Sequence, residues 1–294
     1  MKDVPVERIR GGALLVDKPV GPTSRRILDA LERRLKLGPL GHAGTLDPLA
    51  SGLLVALAGR ARRLQNLFTA STKTYRAQIT FGWRSETLDA EGPLVADPGG
   101  PPKLDRESVE ALVSPFAGEV MQVPPRHSAV HVAGRRAHRL ARSGAEPVLE
   151  PRPVRIDAIR VLDVRDNVVA LEVTCGPGTY IRSLARDLGE AQGSGAWLSA
   201  LRRTRSGGFQ VEDAVLPEDL VAEDLIPLRQ LLRSFPRIDV GPEEARRLAQ
   251  GATIPGPGTP RPEAGPTFAW HADEPLCRLR FLEGEVMRSD LLLR

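Results

Sequence analysis

Apolar residues fall along the chain in short blocks, and the spacing within each block predicts the element that holds it. Residues 12–17 (Gly-Ala-Leu-Leu-Val-Asp) read as a short buried strand, and Leu53 to Ala58 is an unbroken apolar run fit for a central strand. Between them Thr23 or Ser24 caps a helix to about Leu37, with Ile27, Leu28, Leu31 and Leu35 on one face. Gly38 to Gly52 is punctuated by Gly and Pro and reads as a loop. A short helix carrying Leu64, Leu67 and Phe68 follows. Thr74 to Phe81 then alternates: Tyr75, Ala77, Ile79 and Phe81 point one way, and Thr74, Arg76, Gln78 and Thr80 the other. Asp105 to Val113 predicts another helix, and Pro153 to Asp163 pairs with Val168 to Cys175 through an Asp166-Asn167 turn. Gly176-Pro177-Gly178 ends that pattern and opens a helix to Leu188, closed by Gly189.

After about Ser234 the character changes. A short helix (Glu243 to Gln250), a Pro/Gly-rich loop (Gly251 to Pro266) and short strands near Phe268–Trp270 and Leu276–Leu282 predict a small β-rich module. The expected division is 1–234 for a large domain and 235–294 for this module. Strands outnumber helices without alternating regularly with them, which predicts an α+β fold with a mainly antiparallel sheet.

Composition narrows the class. No apolar run approaches the roughly 20 residues of a membrane helix, and the first residues are charged, so no membrane role and a cytoplasmic location are expected. The two cysteines, Cys175 and Cys277, are far apart, which excludes a disulfide scaffold and a Cys-x-x-Cys zinc site. Net charge is only +4, but arginine far outnumbers lysine. Val120 to Ala145 holds no acidic residue, yet contains Arg126, Arg135, Arg136, Arg139 and Arg142, the footprint of a polyanion-binding segment.

Four constellations could carry chemistry. In Gly41-His42-Ala43-Gly44-Thr45-Leu46-Asp47-Pro48, the glycines allow close backbone approach, and Pro48 holds Asp47 extended. Asp47 is either a projecting carboxylate or simply a turn former. In Gly176 to Leu184, Arg182 falls in the first turn of a helix, against the dipole, so it needs a partner or faces solvent. Tyr75 is a core tyrosine or a platform for a flipped base. His127, His131 and His138 lie in the basic segment, where Pro124-Pro125 and the lack of carboxylates argue against a metal site.

In order along the chain, Asp17-Lys18-Pro19-Val20-Gly21-Pro22-Thr23-Ser24, Gly-His-Ala-Gly-Thr-Leu-Asp-Pro and Lys73-Thr74-Tyr75-Arg76-Ala77 resemble the bacterial TruB family of tRNA pseudouridine synthases. So do Phe81-Gly82, Thr87-Leu88-Asp89-Ala90-Glu91-Gly92, Gln122-Val123-Pro124-Pro125, Ser128-Ala129-Val130, Gly178 to Ala185 and Leu201-Arg202-Arg203-Thr204. The resemblance covers residues 12–209, and the C-terminal module resembles a PUA RNA-binding domain more weakly. It implies a mixed, mainly antiparallel sheet flanked by helices, and isomerisation of uridine-55 to pseudouridine in the T-arm of tRNA. It also implies Asp47 as catalytic aspartate, Arg182 as its partner, Tyr75 as stacking platform and proton relay, and Leu201 as apolar wall. His42 would help hold flipped nucleotides, and Lys18, Tyr180, Arg135 and Arg136 would bind substrate, the arginines within an RNA-gripping insertion of about residues 120–150. The chemistry moves the ribose bond from uracil N1 to C5 without redox change, so no cofactor or metal is expected. The expected form is a monomer that needs no guide RNA. Departures from the family pattern are His127 (commonly aromatic), His131 (lysine) and His138 (tyrosine).

Three rivals are distinguishable. An RNA-folding chaperone has no need of Asp47, Tyr75 and Arg182 together, although folding and catalysis can coexist. Phosphoryl transfer through Asp47 needs further carboxylates, and none follows within ten residues. A guide-RNA-dependent relative fits less well with the basic insertion and compact C-terminus.

Overall fold

The computed structural model describes residues 11–128, 130–132, 135–136, 149–256, 265–283 and 286–293. Its large sheet is built on β1 (Gly11–Lys18), β2 (Ala50–Gly59), β3 (Lys73–Phe81), β4 (Gly118–Gln122), β5 (Arg152–Arg165), β6 (Val168–Cys175) and β7 (Ala196–Ser206). Spatial order is Ile226–Pro227, β1, β2, β7, β3, β6, β5, β4. Every pairing along this path is antiparallel except β2 with β7.

The two apolar patterns of the sequence reflect what covers each strand. In β1 and β2, Leu14, Val16, Leu54 and Ala56 face one core, whereas Leu15, Leu53, Val55 and Leu57 face a second core behind the sheet. Covered on both sides, these strands have no polar face and read as unbroken runs. β3 is covered on one side only: Ala77, Ile79 and Phe81 are buried while Arg76 and Gln78 are exposed. A one-residue slip would turn all three outward. Each large side chain lost from the core costs roughly 1.5–3 kcal/mol, so the register is firmly set.

Helices α1 (Ser24–Leu35), α2 (Arg106–Val113) and α3 (Ile181–Gln192) cover the first core with Ile27, Leu28, Leu31, Val109, Leu184 and Leu188. Thr23 caps α1 by accepting the Arg26 N–H at 3.2 Å. α1 stops before the expected Leu37 because Lys36 turns left-handed and returns its N–H to the Glu32 carbonyl. α3 runs past Gly189, which sequence reading makes its end, and closes at Gly193 with φ 76°. Gly189 serves packing instead: a Cβ there would lie 2.5 Å from the Ala196 nitrogen.

The central strand β7 was not foreseen. Bulges between Leu198 and Ala200 and between Arg203 and Arg205 break its two-residue period. Leu198 and Leu201 consequently face the same core despite their odd spacing. The expected loop from Gly38 also contains a short strand, Leu40–His42, paired with β2.

The second sheet comprises β8 (Arg237–Asp239), β9 (Thr253–Pro255), β10 (Thr267–His271), β11 (Glu274–Phe281) and β12 (Val286–Leu292), in the order β8, β10, β11, β12, β9. The helix Pro242–Ala249 closes its private core with Leu248, Ile254, Cys277 and Met287. The opposite face of β10 carries Phe268 and Trp270 into the second core beside Leu15, Leu53 and Leu57. The two sheets thus share one apolar interface. No helix of the described residues is long and apolar enough to cross a membrane.

Candidate active site

Asp47 lies in a turn that reaches β2 three residues later, and the preceding segment clamps that turn from outside. Ser24 Oγ accepts the Leu46 N–H at 2.9 Å and donates to the Leu46 carbonyl at 3.0 Å. The Gly21 N–H binds the Pro48 carbonyl at 2.8 Å. Lys18 Nζ donates to the carbonyls of Ala50 at 2.6 Å and Pro19 at 2.9 Å. Lys18, expected among the substrate-binding residues, is therefore fully buried and does not line the cavity. Its ammonium is consumed by loop carbonyls, and burial pushes its pKa down to about 8 against the pull of Asp47. The Lys-Pro-x-Gly-Pro-Thr-Ser segment thus holds the Asp47 turn in place.

Arg182 approaches from the first turn of α3 with its side chain only 5 % exposed. Its Nε is 3.0 Å from Asp47 Oδ2, an ion contact in which the N–H is off-axis for a hydrogen bond. Nη1 is 3.4 Å from Asp89 Oδ2 and donates to the Thr87 carbonyl at 3.2 Å, and Nη2 donates to the His127 carbonyl at 2.9 Å. Gln122 fixes the start of the helix, accepting from Tyr180 N at 2.9 Å and donating to Tyr180 O at 3.2 Å. Two carboxylates and two carbonyls offset the unfavourable helix end and the desolvation of the guanidinium.

Asp89 was missed, although its segment is among those that resemble the family. It is buried; Thr87 Oγ1 donates to Asp89 Oδ1 at 2.5 Å and the Glu91 N–H at 3.0 Å. Leu88 between them takes φ 63°, a strained conformation for a branched residue. That turn aims the Thr87 carbonyl and the Asp89 carboxylate at the same guanidinium.

Asp47 is 37 % exposed toward a cavity of about 610 Å³ and enclosed by protein elsewhere. That volume lies within the roughly 300–1,000 Å³ typical of small-ligand clefts. Burial raises the Asp47 carboxyl above its ordinary range; Arg182 opposes the shift and Asp89 reinforces it. Tyr75, Tyr180, Arg182 and Leu201 line the same cavity. Burial raises both tyrosine hydroxyls, which stay neutral; the Tyr180 hydroxyl meets Ser128.

His42 does not line the cavity. It sits on the short strand opposite Ala56, and burial, followed by Arg203 and Arg25, lowers its imidazole pKa, so the ring is neutral at pH 7. Arg135–Arg136 pairs with His131–Val132 as a hairpin, but the side chains of these four residues, and all of His138, lie outside the described residues. His127 lines the cavity.

Lys73 and Arg203, both buried, also line it and were missed as site residues. Lys73 Nζ donates to the Phe68, Thr69 and Ser71 carbonyls, and burial brings its pKa to about 8. Their signal lay in the strand pattern, since Lys73 falls in phase with Tyr75 and Arg203 in phase with Leu201. The cavity wall also contains Asp89 and Glu91, so the lack of carboxylates near Asp47 in sequence does not hold in space. Arg182 touches both Asp47 and Asp89, filling the position a divalent cation shared by them would need.

The TruB family pseudouridylate synthase N-terminal domain matches residues 32–181. The tRNA pseudouridylate synthase B C-terminal domain matches residues 182–235, ending just before the second sheet. The chain is 40 % identical over 291 residues to tRNA pseudouridine synthase B of Mycobacterium tuberculosis, covering 96 % of each. It is 39 % identical over 257 residues to that of Azoarcus sp., covering 85 % of each. Among solved structures, a chain of a Cbf5-Nop10-Gar1 complex superposes with TM-score 0.74 at 25 % identity, covering 99 % of this chain and 87 % of that one. A chain of an H/ACA RNP bound to a substrate RNA containing 2′-deoxyuridine gives the same TM-score and coverage at 23 % identity. A mixed sheet of this order, a carboxylate–arginine site on its rim and similarity over nearly the whole chain lead to one conclusion: the chain belongs to the TruB family of pseudouridylate synthases and is an RNA pseudouridine synthase.

Proposed function

We propose that this enzyme converts uridine-55 to pseudouridine in the T-arm of tRNA, as a monomer without guide RNA, with Asp47 as the catalytic carboxylate. The observation that carries the reading is the Asp47 carboxylate, held 3.0 Å from Arg182 and open to a cavity lined by Tyr75 and Leu201. The name tRNA pseudouridine synthase B, borne by relatives that match over nearly their full length, supports tRNA as substrate.

The reaction breaks the bond from ribose C1′ to uracil N1, rotates the base and joins C1′ to C5. The C5 proton is lost and N1 gains one, so atoms and electrons balance. A uracil stacked in a stem-loop is out of reach of Asp47, so the nucleotide must be flipped out. Tyr75 and Leu201 sandwich the flipped ring, and Tyr75, neutral because it is buried, relays the proton leaving C5. Asp47 acts on the substrate as nucleophile or base, in its ionised form. Arg182 favours that form and aims it, while Asp89 holds Arg182 from the other side. The basic segment around Arg135 and Arg136 grips the RNA backbone, and the second sheet serves as a PUA-like support for the tRNA.

Incubating the protein alone with unmodified tRNA and mapping pseudouridine by position tests the substrate. Modification confined to position 55 of the T-arm is expected. Modification only in other RNAs, or only with an added guide RNA, overturns the reading. Neutralising Arg135 and Arg136 should weaken binding and flatten its salt dependence by about one phosphate contact per residue.

A further inference from the structure

Each buried cation around the cavity has an identifiable task except one. Arg182 holds two carboxylates, while Lys18 and Lys73 bind backbone carbonyls. Arg203 is 1 % exposed, and among the described residues no carboxylate pairs with it. Burying an arginine without a counter-ion is costly, and a position that keeps one repays attention to what its donors reach.

Two of them reach carbonyls on separate segments of the site, and the guanidinium itself shares the cavity wall with Tyr75. Nε donates to the Leu53 carbonyl of β2 at 2.7 Å, and Nη2 to the Gly44 carbonyl of the Asp47 loop at 3.1 Å. Arg203 also stands directly opposite Tyr75 in the β7–β3 ladder, and both side chains line the cavity. Gly44 has φ 103°, a left-handed backbone that presents its carbonyl to the guanidinium.

We infer that Arg203 is a positioning residue which ties the Tyr75 hydroxyl to the Asp47 loop and so fixes the stacking platform relative to the catalytic carboxylate. This rests on the reading of Tyr75 and Asp47 given above. Arg203 acts from behind, with almost no surface to offer the RNA. Its planar fork is what allows one side chain to hold two carbonyls in fixed directions while its charge stands beside Tyr75, which a lysine cannot do. The cation also counters the upward push of burial on the Tyr75 phenol, chiefly through its charge and secondarily through a side-chain interaction with the hydroxyl.

The chain has only two tyrosines, Tyr75 and Tyr180, which makes the inference directly measurable. Protein labelled with 3-fluorotyrosine should show two ¹⁹F resonances, assigned with Tyr180→Phe, and fluorination brings the phenol titration to lower pH. Arg203→Gln should shift the Tyr75 resonance and raise its titration midpoint while leaving Tyr180 in place. In single-turnover assays on tRNA the same change should slow the reaction by about tenfold or more, with tRNA affinity within about twofold, because positioning affects the transition state rather than uniform binding. In a Tyr75→Phe background the further loss should shrink to about threefold or less, since interacting residues are non-additive.

An unchanged Tyr75 resonance and midpoint, or an equal rate loss in both backgrounds, overturns the inference. Should Arg203→Gln not fold, Arg203→Lys is judged by the same readouts. Failure of both to fold would make Arg203 a determinant of the fold and also overturn it. A wild-type protein inactive on tRNA would instead sink the functional reading and leave the ¹⁹F result standing.

Discussion

The two sheets treat charge in opposite ways. Around the cavity of the large sheet, Lys18, Lys73, Asp89, Arg182 and Arg203 are all buried, whereas among the described residues of the second sheet Thr267 is the one buried side chain of the polar or charged types. Ion pairs of the second sheet, such as Arg278 with Asp290 at 2.9 Å, stay at the surface. Both sheets have apolar cores of ordinary composition, so burying charge was not needed to fold either one. Among the described residues it is confined to the surroundings of the cavity that holds Asp47. That distribution fits the proposed division of labour, with the chemistry at the large sheet and RNA support at the second.

The sharpest way to break this contrast is at Arg182. Arg182→Lys keeps the charge but loses the fork that reaches Asp47, Asp89, Thr87 and His127 together, and misplacement of about 1 Å can cost on the order of 100-fold in rate. Near-wild-type kcat would mean that the buried guanidinium is structural.

A change on the opposite side of the contrast is Phe268→Ala. Phe268 is fully buried in the core between the two sheets, and truncating such a residue costs about 3–5 kcal/mol. Denaturant unfolding should show that loss, while kcat per folded molecule stays unchanged. A parallel fall in kcat would show that the second sheet is more than a support.

Asp89→Asn should slow the reaction by roughly tenfold, about 1.4 kcal/mol in the barrier. It should also move the pH profile in a defined direction. On the proposed reading Asp47 works ionised, and burial raises its carboxyl, so the acid limb of kcat/KM should lie above the ordinary aspartate value of about 3.9. Asp89 adds to that shift, so its removal should move the limb downward. A limb at or below the ordinary value, or one that moves up in Asp89→Asn, contradicts the electrostatics of the site.

The smallest effect is expected at Arg278→Ala. The pair with Asp290 is partly exposed, and such pairs contribute about 1 kcal/mol at most. A larger stability loss, read by denaturant unfolding, would mean that surface charge matters more to the second sheet than its apolar core.

Much of this was legible wherever the physics is local. The capped, one-sided pattern from Thr23 gave α1 to within two residues, and the alternation from Thr74 gave β3. Arg182 announced itself by standing at the wrong end of a helix dipole. What escaped depends on contacts between distant segments. β7 hid behind two bulges, and Gly189 looked like a helix stop because the crossing Ala196 backbone is invisible in sequence. Lys18 was assigned to the ligand, but its ammonium is claimed by carbonyls across the Asp47 turn. For Asp89 and Arg203 the local pattern gives at most a face or a motif; each matters because folding brings it beside Arg182 or opposite Tyr75.

The central claim is that the Asp47 carboxylate performs the chemistry and is held ionised at some expense to the fold. Because its folded pKa lies above its unfolded one, the unfolded chain gives up the proton first, and stability falls as pH rises through the window between the two values. The most direct measurement is Asp47→Asn, assayed in single turnover on unmodified tRNA with binding and thermal unfolding followed on the same preparation. The expected result is no detectable pseudouridine, tRNA affinity within about twofold of wild type, and a melting temperature at pH 7 equal to or above wild type. Appreciable pseudouridine formation by this variant would contradict the assignment outright.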